Sequence, residues 1–394
     1  MVELIVNKNK ELETICLVQD GKLIEKYQND DETRLNRLEG NIYAGKVADI
    51  VPGMQAAFID YGDSKKGLLH LKDALPQIDE KTENVEQLSS FKVSDLLKKD
   101  QKILVQIKKD SNEKKGAKIS THISIPSRYI VFMPNTKIIT ISQKIQDEER
   151  KNELIKLVKE NITENDGAVI RTSALTASDE EIKKDIVKCA NRWKEILKKY
   201  ENTNNQTLIY ESESVQAKIL IDIPVDRVIT NDQEEFEKLK SLIQVDEMKG
   251  VKLEFKPKND LLEMYELDSQ IKKSKERKVW LNCGGFITID KTEALTAIDV
   301  NTGKFTGKDD LEKTVFKVNK EATAEIAKQI RLQDIGGIII IDYIDMHNEE
   351  NKEKIENMLK EVLKNDRAKT QVEGFTKLNL MEMTRKHICS HLDE

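Results

Sequence analysis

Two aspartates stand where the sequence predicts the ends of strands. Asp299 lies near the end of the segment ALTAIDVN, and Asp342 directly follows the four isoleucines Ile338–Ile341. Strand ends in α/β layers open crevices where ligand sites gather, so the two carboxylates are expected to converge. Converging carboxylates repel each other, and Mg²⁺ suits one or two of them together with water and phosphate oxygens. Because such an ion can activate water against a phosphodiester, the pattern predicts a magnesium site of that kind.

Asn301 follows Asp299 by two positions, so in a strand both side chains lie on the same face. Asn301 could therefore orient the Asp299 carboxylate. Asp345 is expected to point away from Asp342 if the extended structure continues. A purely structural alternative stays open, because aspartate is common in turns and VNTGKFTG is rich in turn-forming residues.

The other reactive residue types show no metal or disulfide spacing. The four cysteines are widely scattered and form no C-x-x-C pair, which argues against a disulfide framework and a local zinc site. Cys283 has no basic partner nearby in sequence and is predicted to be a small buried residue rather than a nucleophile. The five histidines have no metal-ligand spacing either.

The elements around the aspartates are the most regular of the chain. FITID and ALTAIDVN predict two strands, and Asp309 with Glu312 resembles a capping box that opens a helix. Gly336-Gly337 is predicted to end that helix, and Ile338–Ile341 to form a buried strand. The helix has one apolar face, formed by Val315, Val318, Ala322, Ile326 and Ile330.

The first third of the chain predicts β-structure that could bind nucleic acid. Residues 2–35 indicate a hairpin that turns at Asp20-Gly21. Over residues 36–125, short strands punctuated by Gly and Pro indicate a small barrel of the OB-fold type, with a loop or helical insertion at 78–99. Such barrels bind single strands through aromatic platforms and cations, and the candidates are Tyr43, Phe58, Lys109 and Lys115. An ordinary solvated charge run is the alternative for the lysines.

The middle of the chain is mixed. DEERKNELIKLVKEN and EEIKKDIVKCANRWKEILKKY predict helices, and GAVIRTSA predicts a strand. KILIDIPVDRVIT is predicted as a strand, and residues 262–280 as a charged helix that ends near Trp280.

The bulk numbers set wide limits. The chain has 394 residues, enough for several domains, and a net charge of −6, so any RNA contact must come from local basic patches. No window reaches the roughly 18 apolar residues of a membrane span, and no secretory signal is visible. We therefore expect a cytoplasmic protein without a membrane span.

Several long segments resemble one known family. The segment LNCGGFITIDKTEALTAIDVNTGKFTG, followed by VNKEATAEIAKQIRLQDIGGIIIIDYIDM, resembles the catalytic core of the ribonuclease E/G endoribonucleases. GNIYAGKVADIVPGMQAAFIDYGDSKKGLLHL looks like the OB-type RNA-binding domain of that family, and GAVIRTSA and GFTKLNLMEMTRKH fit as well. The resemblance covers most of the chain in the expected order.

The resemblance implies a multidomain α/β and β fold. Residues 1–35 and 211–280 would form an RNase H-like subdomain, into which the OB-fold domain, residues 36–125, is inserted. Residues 126–210 would sense a 5′-monophosphate, and residues 281–394 would form a DNase I-like catalytic subdomain.

The resemblance also implies the roles of individual residues. Asp299 and Asp342 would hold Mg²⁺, with Asn301 orienting a carboxylate. Phe58 and Lys115 match RNA-contacting positions, whereas Leu68 replaces the second aromatic platform of the family. The 5′-phosphate pocket would consist of Arg171, Thr172, Val131 and Lys369. At Lys369 the family has an arginine, so the charge is kept but the guanidinium fork is lost.

The implied activity is magnesium-dependent hydrolysis of single-stranded, A/U-rich RNA, stimulated by a 5′-monophosphate, with ribosomal RNA precursors and messenger RNA as partners. The family usually carries a C-P-x-C zinc link, but this sequence continues as MTRKHICSHLDE, so Cys389 alone cannot supply it. A zinc-linked homodimer is thus not expected, whereas another homodimer stays open. With no scaffold tail, the chain is more similar to the ribonuclease G branch. Two rivals remain: a non-catalytic RNA-binding or ribosome-associated protein of the same fold, and a magnesium phosphodiesterase that acts on DNA.

Overall fold

The chain folds into two compact units, residues 1–31 with 215–393 and residues 32–214. The computed structural model describes residues 1–10, 12–29, 38–74, 91–111, 115–145, 147–204, 206–245, 248, 250–303 and 311–388. The predictions made for Asp309 and Cys389 lie outside the described residues.

The chain begins with an antiparallel meander of β1 (Val2–Asn9), β2 (Leu12–Gln19) and β3 (Lys22–Asn29). The turn between β2 and β3 falls at Asp20 (φ 50°) and Gly21 (φ 75°). Two consecutive left-handed residues match the right-handed twist of the flanking strands. The hairpin predicted from the sequence is confirmed.

The next strands form a closed barrel, consistent with an OB-fold. Its elements are β4 (Ile42–Val51), a 3₁₀ turn (Pro52–Met54), β5 (Ala56–Asp60), β6 (Gly67–His70), α1 (Leu71–Ala74), α2 (Val93–Leu96), β7 (Lys102–Lys109) and β8 (Lys118–Ser120). The strand order is β4-β5-β6-β8-β7, and β7 pairs back onto β4. The predicted barrel is confirmed. Of the insertion predicted over residues 78–99, residues 78–90 lie outside the described residues, and α2 falls within the rest.

A second layer follows in the same unit. Its elements are β9 (Ile125–Pro126), β10 (Ile130–Met133), β11 (Ile139–Ile141), α3 (Glu148–Asn161), β12 (Gly167–Ile170), a 3₁₀ turn (Thr172–Leu175), α4 (Asp179–Glu201) and β13 (Thr207–Tyr210). The sheet order is β11-β12-β10-β9, whereas β13 pairs with β4. Ser178 and Glu181 close a full capping box at the start of α4, which explains where this helix begins.

The chain then returns to the meander. Its elements are α5 (Val215–Asp222), β14 (Arg227–Thr230), α6 (Gln233–Val245), β15 (Lys252–Phe255), α7 (Leu261–Met264) and α8 (Leu267–Ser274). β14 pairs in parallel with β1, and β15 pairs in parallel with β14, giving the order β15-β14-β1-β2-β3.

Two predictions in this region are wrong. The segment KILID, residues 218–222, is helical rather than extended, because Ile219, Leu220 and Ile221 are all buried and a short apolar run has no period that separates strand from helix. The charged helix predicted over residues 262–280 stops at Ser274, and Trp280 lies in a strand.

The last sheet combines a parallel crossover with antiparallel edges. Its elements are β16 (Lys278–Trp280), β17 (Phe286–Lys291), β18 (Leu295–Asn301), α9 (Leu311–Leu332), β19 (Gly337–Asp342), α10 (Glu349–Leu363), β20 (Thr370–Phe375) and β21 (Leu380–Arg385). The order is β16-β17-β18-β19-β21-β20, with β18 and β19 parallel on either side of α9. The two predicted strands and the apolar face of α9 are confirmed. The helix α9 ends at Leu332, and the first left-handed residue after it is Asp334 (φ 45°), ahead of the predicted pair Gly336-Gly337, of which Gly337 (φ 84°) is left-handed as well.

Helices α9 and α10 cover one face of this sheet. Ile339 and Ile341 point into that core and are fully buried, whereas Ile338 is 50% exposed. The prediction that all four isoleucines are buried is therefore wrong for Ile338, which lies on the other face of the sheet. We call that face, which carries Ala297, Asp299, Ile338 and Asp342, the open face.

Within the described residues, no helix is both long and apolar enough to span a bilayer.

Candidate active site

Asp299 and Asp342 meet at the carboxyl ends of β18 and β19. They are register partners of two adjacent parallel strands, and both are exposed. Register partners point to the same side of a sheet, about 4.8 Å apart along the hydrogen-bonding direction. Both carboxylates therefore share one edge of the open face.

Asn301 orients the first of these carboxylates. Its Nδ2 donates a hydrogen bond to Oδ2 of Asp299, two positions earlier in the same strand. The amide thereby restricts the rotation of the carboxylate, so that its position no longer depends on solvent alone.

The electrostatics of the pair favour a cation. Partial burial raises the pKa of Asp342, and the negative charges of Asp299 and Asp345 raise it further. Like charges at short range disfavour the ionised form. A positive ion between the carboxylates would relieve this repulsion.

Asp345 was not expected near this pair. The strand β19 ends at Asp342, so the alternation that would have turned Asp345 away does not continue. Its Oδ1 accepts a hydrogen bond of 3.5 Å from Asn379, whose own Oδ1 accepts one of 3.1 Å from Lys352. No sequence signal locates a strand end to the residue, which is why this proximity was missed.

A buried asparagine fixes the backbone just after Asp342. Asn319 on α9 is fully buried, and its Nδ2 donates to the carbonyl oxygen of Ile344 (2.8 Å). The backbone N–H of Ile344 in turn donates to Oδ1 of Asn319 (3.1 Å). The available signal was a polar residue on an otherwise apolar helix face, and Asn319 was missed by the sequence reasoning.

Two glycine turns pack against the strand that carries Asn301. A Cβ at Gly285 would lie 2.7 Å from the carbonyl oxygen of Asn301, and a Cβ at Gly303 (φ +61°) would lie 2.6 Å from that of Gly284. Both approaches exclude any side chain. These turns therefore set the end of β18 in place.

Glu321 holds the loop that contains Cys283. Its carboxylate accepts hydrogen bonds from the backbone N–H groups of Asn282 and Cys283. Cys283 is partly rather than fully buried, and burial raises the pKa of its thiol. The thiolate is therefore disfavoured, which fits the prediction that this residue is not a nucleophile.

The donor set at the aspartates is small. Among the residues that the structure describes, no group of three or more His, Cys, Asp and Glu side chains is arranged around a common point to hold a metal. A site of two carboxylates completed by water and substrate oxygens is of a different kind, and the register partners Asp299 and Asp342 are two such carboxylates on adjacent strands.

In the other unit, three predicted sensor residues lie together. Val131 on β10 pairs with Val169 on β12, and Arg171 follows Val169 by two positions. The backbone N–H of Arg171 donates to the carbonyl oxygen of Tyr129 (2.9 Å), so both strand ends are joined. Thr172 is adjacent and exposed.

The side chains of this group are partly held in place. Nη1 of Arg171 donates to the carbonyl oxygen of Ser127 (2.8 Å), and Oγ1 of Thr172 donates to Oγ of Ser142 (3.3 Å). A guanidinium beside a hydroxyl suits a terminal phosphate.

Lys369, the fourth predicted sensor residue, belongs to the other compact unit. It is exposed and lines an open cavity of about 420 Å³. Lys386 also lines this cavity, and its backbone N–H donates to the carbonyl oxygen of Lys369 (2.9 Å). The cavity is therefore locally basic.

On the barrel, cross-strand register places an aromatic, an aliphatic and two basic side chains in one row. Phe58 pairs with Leu68, Leu68 with Lys118, and Lys118 with Lys109. We call these four residues the barrel row. Lys115 is exposed and lies three positions before Lys118.

Tyr43 lies apart from the barrel row. It is partly buried and packs edge-to-face against Tyr61, with 5.2 Å between the ring centroids. The structure thus gives Tyr43 a packing contact, and its role in RNA binding stays a prediction.

Comparison with known proteins shows the family of this chain. The profile of the Ribonuclease E/G family matches residues 124–388. The chain belongs to this family. Ribonuclease G of Escherichia coli K12 is 35% identical over 390 residues, which cover 98% of this chain and 79% of that protein. Ribonuclease G of Haemophilus influenzae is 36% identical over 406 residues, covering 100% and 81%.

Ribonuclease E/G relatives with longer chains match as well. Ribonuclease E of Escherichia coli K12 is 32% identical over 403 residues, which are 100% of this chain but only 38% of that protein. The family profile contains Arg171, Asp299 and Asp342, whereas the barrel row lies before it and is covered by the full-length relatives.

Proposed function

We propose that this chain is an endoribonuclease that hydrolyses phosphodiester bonds of single-stranded RNA at Asp299 and Asp342. The observation that carries the proposal is the register pairing of the two aspartates on the open face, with the Asn301 amide on one of them. The names of the most similar relatives, ribonuclease G and ribonuclease E, support the reaction type.

The residues present fit a magnesium ion. Asp299 and Asp342 would hold it. Partial burial raises the pKa of Asp342, the charges of Asp299 and Asp345 raise it further, and a bound cation would counter this by favouring the ionised carboxylate. Mg²⁺ accepts one or two carboxylates and keeps several waters, so a third protein ligand is not required. When bound, the ion would supply an activated water and charge stabilisation at the phosphate. Asn301, which donates a hydrogen bond to the Asp299 carboxylate, would keep that carboxylate turned toward the ion.

The barrel would hold the RNA strand. Phe58 would offer a ring on which a base can stack, and Lys109 and Lys115 would offer charges to the phosphates. Leu68 in the same row offers only an apolar contact, so a base there would bind less tightly than on a ring.

The group at Arg171, Thr172 and Val131 would recognise a 5′-monophosphate. The guanidinium and the hydroxyl would bind phosphate oxygens, and Val131 would pack against the terminal base. Such a contact would stimulate cleavage of monophosphorylated RNA.

The assignment of subdomains follows the same proposal. Residues 1–35 with 211–280 would be RNase H-like, residues 36–125 OB-type, residues 126–210 the sensor and residues 281–394 DNase I-like. The substrates would be A/U-rich segments of ribosomal RNA precursors and messenger RNA in the cytoplasm.

The test is cleavage of a short labelled single-stranded RNA by the purified chain. Wild-type protein with magnesium should release products with a 5′-phosphate and a 3′-hydroxyl, and a chelator should stop the reaction. Asp299→Asn should abolish cleavage but leave RNA binding largely intact. Asp290→Asn is the matched control, because Asp290 lies on neighbouring β17 and forms only an exposed ion pair with Arg277.

Three outcomes would contradict the proposal or replace part of it. Undiminished cleavage by Asp299→Asn would refute the assignment of the site. Binding by the wild-type chain without any cleavage would leave the non-catalytic RNA-binding protein as the function. Cleavage of single-stranded DNA at the same rate would replace RNA by a broader substrate class.

A further inference from the structure

An exposed tryptophan lies on the same sheet as the aspartates. Trp280 on the edge strand β16 is 60% exposed, whereas the second tryptophan of the chain, Trp193, is 8% exposed. Large aromatic side chains carry much apolar surface, and an exposed one marks a place where a ligand can gain contact area.

Register places Trp280 on the open face. Trp280 pairs with Phe286, and Phe286 pairs with Asn301. Register partners share a face, and Asn301 shares its face with Asp299. Trp280 therefore lies two strands from Asn301, about 10 Å away across the sheet, on the side that carries both aspartates.

A lysine holds the two rings from one side. Nζ of Lys278 lies 3.5 Å from the ring centroid of Phe286 and 4.2 Å from that of Trp280. The rings themselves are 5.3 Å apart at an interplanar angle of 61°. The cation and the neighbouring ring pre-orient Trp280, while most of its surface stays accessible.

We propose that Trp280, supported by Phe286 and Lys278, is a stacking subsite for a base of single-stranded RNA next to the scissile phosphate. The proposal rests on the proposed nuclease function, because Asp299 and Asp342 define where that phosphate lies. An aromatic face with an adjacent cation is how single strands are bound without sequence readout, since every base has a π-face and every nucleotide a phosphate.

The surroundings favour a nucleic acid over a second copy of the chain. Apart from Phe286, the side chains around Trp280 on the open face are polar or charged, and they are Lys278, Thr288, Asp299 and Asn301. A stable protein interface needs a contiguous apolar centre, which two aromatic rings among polar and charged side chains do not provide. An RNA strand bound at the aspartates must in contrast either extend across the open face, past Trp280, or pass over the opposite edge of the sheet.

Fluorescence tests the contact without any cleavage. In the variant Trp193→Phe with Asp299→Asn, Trp280 is the remaining tryptophan, so its emission reports this position alone. Adding a short single-stranded RNA, with magnesium or with a chelator, should quench the emission and protect it from acrylamide. Anisotropy of a label on the RNA follows binding in the same titration. Binding without a change in Trp280 emission would overturn the subsite.

Affinity tests the energetic contribution. Stacking on one aromatic is worth about 1–3 kcal/mol, so Trp280→Ala should weaken RNA binding at least about fivefold. Trp280→Phe should recover part of the loss, and KM should change more than kcat, because the ring contacts substrate away from the reacting atoms. Met264→Ala is the control, since Met264 is 52% exposed and lies in α7, outside this sheet.

The results distinguish the subsite from the nuclease. Equal affinities of Trp280→Ala and Met264→Ala, with normal cleavage, would remove the subsite and leave the nuclease. If RNA quenches the Trp280 emission and Trp280→Ala weakens RNA binding, but the wild-type chain does not cleave RNA, the subsite stands and the nuclease function is wrong. If Trp280→Ala instead changes only the sedimentation coefficient, the tryptophan pairs copies of the chain and the proposal is wrong.

Discussion

Asn319 and Ile344 are joined by two hydrogen bonds that use both groups of one side-chain amide. The amide nitrogen donates to the Ile344 carbonyl at 2.8 Å, and the Ile344 N–H donates to the amide oxygen at 3.1 Å. Asn319 is fully buried, so water does not reach the place where its amide serves as the hydrogen-bond partner of the Ile344 backbone. A helix of the core thereby sets the path of the chain just after Asp342.

Replacing Asn319 should destabilise the protein. Asn319→Ala leaves the N–H and carbonyl of Ile344 without these partners, and each buried unsatisfied group costs about 1–3 kcal/mol. Urea unfolding should show this loss, together with reduced cleavage. Lys320→Ala, at an exposed position of the same helix, should change neither quantity. An Asn319→Ala variant as stable as Lys320→Ala would contradict the role of this contact.

Asn301 should affect magnesium more than RNA. Because its amide orients the Asp299 carboxylate, Asn301→Ala should raise the magnesium concentration for half-maximal cleavage about 10- to 100-fold, as is usual when a group that orients a metal ligand is removed. The measurement is a magnesium titration of the cleavage rate at saturating RNA. RNA affinity in a chelator should stay unchanged. A variant with lower RNA affinity and an unchanged magnesium requirement would place Asn301 in substrate binding instead.

Removing one carboxylate should stabilise the metal-free protein. The folded-state pKa of Asp342 is raised, so over the window between its unfolded and folded values the folded state binds more protons, and stability falls as pH rises through it. At neutral pH the repulsion is fully present. Asp299→Asn removes one of its sources and should gain about 0.2–1 kcal/mol, the range for exposed charge pairs.

Urea unfolding in a chelator at neutral pH and at pH 3 measures this gain. It should shrink at the lower pH, where Asp342 is protonated. Asp290→Asn should give no comparable gain, because it breaks an attractive pair with Arg277. A loss of stability in Asp299→Asn at neutral pH would contradict the repulsion.

Arg171 should determine the preference for the RNA 5′ end. Arg171→Ala should reduce the ratio of cleavage rates for 5′-monophosphorylated and 5′-hydroxyl RNA toward one, because the guanidinium would bind the terminal phosphate. Arg150→Ala, at a surface arginine of α3, is the control. If the wild-type chain cuts both substrates equally, no sensor is present.

Lys109 should contribute to RNA affinity through charge. Each phosphate contact on a single strand contributes about 0.7 to the slope of log affinity against log salt concentration, so Lys109→Ala should lower the slope by about that amount. Fluorescence anisotropy at several salt concentrations provides the slope. Lys98→Ala, exposed in the same barrel domain but outside the barrel row, should leave it unchanged. Equal slopes for both variants would indicate a solvated charge run.

Local pattern determined much of the fold. The turn at Asp20-Gly21 needs two left-handed residues, and few sequences other than Asp-Gly supply them. The apolar face of α9 and the strand ALTAIDVN follow from periods of 3.6 and 2 that extend over many residues. The same period of 2 placed Asn301 on the side of Asp299, and the structure shows the hydrogen bond between them.

The sequence did not determine the secondary structure of short segments that lack a clear hydrophobic period. KILID became a helix because its apolar residues are buried on several sides at once. Trp280 was expected at a helix end and lies in an edge strand, where it pairs with Phe286. Both outcomes depend on which neighbouring element packs against the segment, and the residue pattern within the segment does not record that neighbour.

For the site itself, the sequence predicted Asp299, Asn301 and Asp342 as the residues that carry the chemistry, from residue type, strand position, spacing and the family resemblance, and their role stays a prediction. Only the tertiary structure decided that Asp299 and Asp342 are register partners, that Ile338 lies on an exposed face and that Asp345 acts on Asp342. The physical reason is that register, strand ends and the covered face of a sheet are set by hydrogen bonds and packing between segments far apart in sequence, whereas residue periodicity records only local geometry.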